Sequence, residues 1–196
     1  MTRRIALTAI ALVPALVAGR AAAETPWKLD KAHSSVNFSV SHYVISEVTG
    51  KFRDFDVTFV TNKDDFSDAK LSATIKTASI NTENERRDNH LKSGDFLEAE
   101  TFPEMTFVSS SFAKTGVNTF DITGDLTIRG ITKAVVLHAV YKGTVETRGQ
   151  SIIAFSAATE VNRFDYGVKW DAKLESGGLV AGDKISIEIT YEGVKQ

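Results

Sequence analysis

Apolar and polar side chains take turns along most of this chain, and that period of two constrains its fold more than any other feature. Residues 120–128, FDITGDLTI, put Phe120, Ile122, Gly124, Leu126 and Ile128 on one side and Asp121, Thr123, Asp125 and Thr127 on the other. Successive side chains of a strand point to opposite faces, so such a segment is a strand with one apolar and one polar face. The alternation recurs at Val36, Phe38, Val40; at Phe55, Val57, Phe59; at Leu71, Ala73, Ile75; and from Met105 and Phe107. It returns at Val135, Leu137, Ala139, Tyr141; at Ile153, Phe155, Ala157, Thr159, Val161; and at Ile185, Ile187, Ile189, Tyr191. The pattern predicts about eight strands, parted by turn signals such as KTGVN, RGITK, TRGQ and ESGG. Short turns between successive strands predict an antiparallel, up-and-down order. A sheet of this many strands loses its exposed edges by closing on itself.

The nine-residue runs at 120–128 and 153–161 would each span about 30 Å, where ordinary strands have about five or six residues. An eight-stranded barrel has an interior that is either filled by side chains or holds one slender ligand. Lined by Phe, Ile, Val and Leu, a cavity in it would take an elongated apolar molecule such as a lipid tail. A filled core is the alternative, because alternation reports burial and not emptiness.

One segment departs from the alternation. Residues 82–93, TENERRDNHLKS, carry helix formers without a period of two. Thr82 as N-cap and Glu85 three residues on form a capping box. Glu83–Arg87 and Asp88–Lys92 have the spacing and orientation of favourable i,i+4 pairs, and Gly94 stands where a helix stops. The spacing predicts one short helix over 82–93, followed by a loop containing Phe96 and Leu97.

Residues 1–23 have the composition of a secretory leader. Arg3 and Arg4 precede an apolar run over 5–19, and small residues stand at Ala21 and Ala23. Cleavage is expected after Ala23. Export by the general secretory route is the simpler expectation, and the initial TRR is also compatible with the twin-arginine route. Residues 24–196 then form one domain without linker, repeat or low-complexity stretch. They hold 20 basic against 25 acidic residues, a net charge of −5. That balance argues against nucleic acid as a partner, which calls for a basic face. The chain has no cysteine, so it has no disulfide and no cysteine for a lipid anchor. An outer-membrane barrel would need two aromatic girdles. The tyrosines and tryptophans at 27, 43, 141, 166, 170 and 191 are scattered, and the last strand ends in TYEGVKQ. The barrel is therefore expected not to be integral to a membrane.

Catalysis finds little support. His33 and Ser34 are neighbours, but in a strand they would face opposite ways, and no Gly-x-Ser-x-Gly elbow is present. The four histidines, His33, His42, His90 and His138, make no His-x-x-x-His pair. His33 and His42 would lie about 30 Å apart at the ends of one strand. His138 is out of phase with Val135 and Leu137 and is expected on the surface. No catalytic residue, metal ligand or cofactor is assigned.

Four segments in order carry a family resemblance over nearly all of 24–196. They are WKLDKAHSSVNFSVSHYVISEVTGKF, SINTENERRDNHLKSGDFLEAETFPEMTF, ITGDLTIRGITKAVVL and NRFDYGVKW. The chain resembles the YceI-like family of bacterial periplasmic proteins. Tyr166, where phenylalanine is common, and Val168, where methionine or isoleucine is common, depart from its pattern. The resemblance implies a lipocalin-like, elongated antiparallel eight-stranded β-barrel with a hydrophobic tunnel. It also implies a periplasmic location, binding of an isoprenoid chain such as a quinone or polyprenyl phosphate, and no established catalysis. The expected function is binding, storage or transport of such a lipid. The alternatives are a filled-core structural or stress-response protein and an enzyme acting on an isoprenoid substrate. A homodimer is compatible with the sequence.

The expected ligand wall is Phe38, Val40, Phe52, Phe55, Ile75, Phe107, Leu126, Ile128, Leu137, Phe155, Phe164 and Tyr166. Arg86, Arg87, His90 and Phe96 are expected at the barrel mouth, as a lid or as the receptor of a polar headgroup, since an arginine fork suits phosphate. In NRFDYGVKW, Arg163 and Asp165 are expected to form an internal ion pair that holds a strand bend.

Overall fold

The computed structural model describes residues 25–196; the leader expected over 1–23 lies outside them. The strands are β1 (Pro26–Leu29), β2 (Ser35–His42), β3 (Ser46–Phe52), β4 (Phe55–Val60), β5 (Lys70–Lys76), β6 (Ile80–Asn81), β7 (Glu104–Lys114), β8 (Thr119–Ile128), β9 (Ile131–Thr147), β10 (Gln150–Asn162) and β11 (Ala181–Lys195), with one α-helix, α1 (Glu85–Lys92). Every pairing is antiparallel.

The short strands join into longer bent ones. β11 pairs with β1 at one end (Trp27 opposite Lys195) and with β2 at the other (His42 opposite Ala181). β4 lies on β1 and β3 on β2, and on their far side stand β5 and β6. Counting β1/β2, β3/β4 and β5/β6 as single staves, the wall has eight staves in up-and-down order, and the β1–β11 pairing closes it. The expected closed eight-stranded barrel is therefore the observed fold.

β1, β3 and β6 are strands that the alternation did not announce. β1 has four residues and β6 two, and β3, SEVTGKF, turns only Val48, Gly50 and Phe52 to the same side. Gly50 and Gly124 interrupt apolar faces for one reason. A β-carbon at Gly50 would collide with the Phe38 ring, and one at Gly124 with the Phe107 ring and the Val108 carbonyl. A bulge between Ser109 and Ser111 shifts the register of β7. It changes the inward set from Met105 and Phe107 to Phe112.

The two ends are closed differently. At the lower end, Phe66 in the β4–β5 loop is 5% exposed. Its ring lies 5.1–5.5 Å from those of Tyr141, Phe155 and Phe120. The upper end carries the β2–β3 hairpin, α1 with the loop after it, and the long connection from β10 to β11.

α1 is present, but its capping is not as expected. Asn84 is the N-cap, and its Oδ1 accepts the Arg87 N–H at 3.0 Å. Thr82 lies before the helix and is buried. Its N–H and hydroxyl both donate to Asp88 Oδ1, at 2.8 and 2.6 Å. Asp88 is turned inward to these donors, because a buried carboxylate must be hydrogen-bonded, so the expected Asp88–Lys92 pair is not formed. Arg87 donates to Thr82 Oγ1 (2.8 Å) and to its carbonyl (3.0 Å) in place of the expected Glu83. Glu83 itself stands before the helix with φ at +61°. The helix ends at Ser93, whose hydroxyl donates to the His90 carbonyl at 2.7 Å, one residue before the expected stop at Gly94.

Candidate functional site

The inward faces of the barrel surround a cavity of about 360 Å³, within the range of small-molecule pockets. The core is thus not filled. Eleven of the twelve residues expected in the wall line it: Phe38, Val40, Phe52, Phe55, Ile75, Phe107, Leu126, Ile128, Leu137, Phe155 and Tyr166. Phe164 does not. It lies in the short 3₁₀ turn 163–166, where the period of two does not apply; Tyr166 of that turn faces the cavity, while the Phe164 ring stacks under the Arg163 guanidinium, 4.3 Å from the centroid. β11 supplies Ile185, Ile187, Ile189 and Tyr191, and Phe59 and Phe112 also contribute. The same alternation that announced the other strands marks the β11 residues as inward.

Polar side chains enter the lining chiefly at the upper end, as Ser41, His42, Arg87, His90 and Arg163. His42, Arg87 and His90 also line a shallow polar depression outside, with Tyr43, Asn84 and Arg86. These three residues mark the cavity mouth. Arg86 is exposed on its outer side, and Phe96 is buried on its inner side. The four residues expected at the mouth are therefore brought together there.

The mouth is held in place by polar contacts. His90 Nε2 lies 2.9 Å from Asp95 Oδ2. Its ring meets those of Phe96 and Trp170 edge-on, at 4.9 and 5.9 Å. Arg129, at the β8–β9 turn, donates to the Phe96 carbonyl and pairs with Glu98 Oε2 at 2.7 Å. The loop carrying Phe96 is thereby tied to the barrel rim.

Arg163 differs from its expected role. It is 5% exposed and donates to three backbone carbonyls, of Gly182 (2.8 Å), Val168 (2.8 Å) and Ala181 (3.1 Å). Asp165 is exposed and is not its partner. Burial pushes the guanidinium below its ordinary pKa, while the more distant Asp183 and Asp171 favour its charge. The planar fork carries enough N–H donors to reach three converging carbonyls at once.

Outside the barrel, His33 meets Asp30, three residues before it, and Glu192, which nothing in the sequence joins to them. Asp30 follows β1 and Glu192 lies in β11, and the Asp30 N–H donates to the Glu192 carbonyl at 2.9 Å. His33 Nδ1 is 2.9 Å from Asp30 Oδ2 and 3.9 Å from Glu192 Oε1. Ligand atoms of the three lie within 4.8 Å of one another, although no convergence of the histidines with other ligands was expected. Asp30, then Glu192, holds the imidazole above its ordinary pKa. His138 is exposed, as expected, and its Nδ1 lies 2.8 Å from Asp121 Oδ1 on β8.

The barrel turns its apolar face inward and sets Asp121, Asp125, His138 and Glu188 on its outside, the reverse of an outer-membrane barrel. Among the described residues no helix is long and apolar enough to cross a membrane.

Known proteins with this architecture agree with the resemblance drawn from the four sequence segments. A UPF0312 protein of Staphylococcus aureus (strain MSSA476) is 38% identical over 170 residues, covering 86% of this chain and 96% of its own. The crystal structure of the Campylobacter jejuni YCEI protein is 35% identical, with a TM-score of 0.69 over 87% of this chain and 98% of that one. A polyisoprenoid binding domain from Saccharophagus degradans shares the fold, with a TM-score of 0.63 at 15% identity, over 85% of this chain and 97% of its own. The YceI-like domain itself matches residues 27–193, nearly the whole barrel. On that match and these relatives, the chain belongs to the YceI-like family.

Proposed function

We propose that the barrel binds one isoprenoid lipid, with its chain in the cavity and its polar head at the upper mouth, and that it carries or stores this lipid without chemical turnover in the periplasm. The observation that carries this reading is a cavity of about 360 Å³ with apolar walls and polar side chains gathered at one end. Such a shape suits a molecule that is long and apolar with one polar terminus. Burial of apolar ligand surface supplies the affinity, at about 25 cal/mol per Å². The match to the family, and the shared fold of a polyisoprenoid binding domain, support the same ligand class. At the mouth, Arg86 offers donors to an anionic head, Arg87 adds its charge and the N–H groups not turned to Thr82, and His42 and His90 flank them. A binding role is also favoured by what the mouth side chains do: Arg87 and His90 are engaged in holding Thr82 and Asp95.

Extraction of the purified protein with organic solvent, followed by mass spectrometry, tests the reading. One isoprenoid species near one molecule per barrel is the expected result. A protein purified from its own envelope that yields no lipid, and takes up none from added polyprenyl phosphate or quinone, overturns it.

A further inference from the structure

The β2–β3 hairpin ends in three consecutive apolar residues, Tyr43, Val44 and Ile45, which are 46%, 70% and 88% exposed. The other large exposed hydrophobics among the described residues, Val108, Val117, Ile131 and Val145, stand singly, as on any protein surface. The conformation of the tip sharpens the contrast. Tyr43 and Val44 have φ at +54° and +66°. A turn with positive φ at both central residues calls for Asn-Gly or a similar pair, and a β-branched residue there is strained. Two other hairpins of the barrel follow that rule. Arg129-Gly130 and Arg148-Gly149 have φ at +50° and +71°, and at +51° and +75°. Only at the β2–β3 tip of these three is the glycine replaced, and its replacement is an exposed valine. Neither the core nor the turn is served by these side chains, and conflicts of this kind between local preference and sequence belong to functional segments.

The tip stands beside the mouth. Tyr43 lines the outer depression with Arg86, Arg87 and His90, and its N–H donates to the Val180 carbonyl at 2.9 Å. Val44 packs on Gly178, where an added β-carbon would lie 3.0 Å from its Cγ2. The tip is thus braced against the β10–β11 connection.

We propose that residues 43–45 form a membrane-docking tip that enters the headgroup region of a phospholipid bilayer and holds the barrel mouth against the lipid surface. The proposal rests on the lipid-binding reading above. Tyrosine suits the interface, having an apolar ring and a polar end, while Val44 and Ile45 reach the acyl boundary. Charge does not supply the attraction. Residues 24–196 carry a net −5, and in the sequence Glu83 and Glu85 stand within four residues of Arg86 and Arg87. Docking through apolar contact is weakly dependent on salt. It is also weak enough to be reversible, as a carrier requires, and an apolar chain could then pass between bilayer and barrel with little exposure to water.

The test is flotation of the exported, processed protein with vesicles of phosphatidylcholine and phosphatidylglycerol. The comparison is the double variant Val44→Gly with Ile45→Ser, neither of which lines the cavity or its mouth. The wild type is expected to float with vesicles equally at low and high salt. The variant should lose about tenfold or more in vesicle affinity, with an equal or higher Tm because glycine accepts the positive φ, and with unchanged bound lipid. A wild type that does not float, or a variant that floats equally well, overturns the proposal. The ligand reading fails separately. Tip-dependent flotation of a protein that yields no isoprenoid upholds docking and overturns the ligand, while isoprenoid content without flotation does the reverse.

Discussion

Arg163 shows how a buried charge can serve a fold without an opposite charge in contact. Its three carbonyl partners come from the start of β11 and from residue 168, so one side chain joins the β10–β11 connection to the strand that follows it. Arg163→Ala should leave these carbonyls without their donors and lower stability by about 3 kcal/mol or more in urea unfolding. Lysine should restore only part of this, because an ammonium lacks the planar fork. His33 makes a prediction about pH. Its folded pKa lies above 6.5 through Asp30 and Glu192, so the stabilisation from its protonated form is complete below that value and is lost as pH rises through the raised pKa. An NMR titration should place its midpoint above 6.5 in the wild type, and in Asp30→Asn the midpoint should fall towards it. A wild-type midpoint at or below 6.5 would contradict the Asp30 contact. Neither role was legible in the sequence. Asp30 stands three residues before His33, but Glu192 is distant in the chain and its approach is set by the β1–β11 pairing, and the carbonyls that hold Arg163 are main-chain atoms that no motif displays.

At the scale of elements, the long strands were legible and the closures were not. β8 and β10 alternate for nine residues and β11 for seven, and a period of two is a backbone property that survives in any strand context. The helix was legible as a helix but not in its caps. Asn84 and Thr82 both offer a capping oxygen, and the choice fell to Asn84 because Thr82 is drawn into the buried Asp88 network. The β4–β5 loop reads as a polar turn, KDDFSD, yet Phe66 closes the lower end of the barrel from it. Its backbone is left-handed, with φ at +59°. Asp68 fastens the loop by accepting from the Thr61 hydroxyl (2.8 Å) and from the Asn62 and Lys63 N–H groups. Phe66→Ala should cost about 3–5 kcal/mol and open a second route to the cavity. Thermal unfolding and the rate at which bound lipid is lost to detergent would measure the two effects, and a variant with wild-type values of both would refute the plug.

For the whole molecule, the question is whether the interior has room. Ala157 lies midway along β10 on the cavity wall, opposite Ala139 and Ile189. In a filled core a phenylalanine there would cost about 1–3 kcal/mol. In this barrel Ala157→Phe should enter the cavity at less than about 1 kcal/mol and displace ligand, cutting bound lipid to half or less by mass spectrometry. Unchanged lipid content with a large loss of stability would mean that no usable space exists at that height. If lipid does occupy the cavity, its removal should lower Tm and its return should restore it, because a ligand of the folded state stabilises by mass action.

The amino-acid order alone dictated an all-β, antiparallel, closed wall with one apolar face, since alternation sets which side each residue takes and short turns set which strands are neighbours. It also placed Arg86, Arg87, His90 and Phe96 together, because they share one short helix and the loop after it. Tertiary structure alone decided that the interior is partly empty, that Phe66 closes its lower end, and that Arg163 grips carbonyls. Volume, end closure and the partners of buried charges depend on distances between segments remote in sequence, and a one-dimensional period carries no record of those distances.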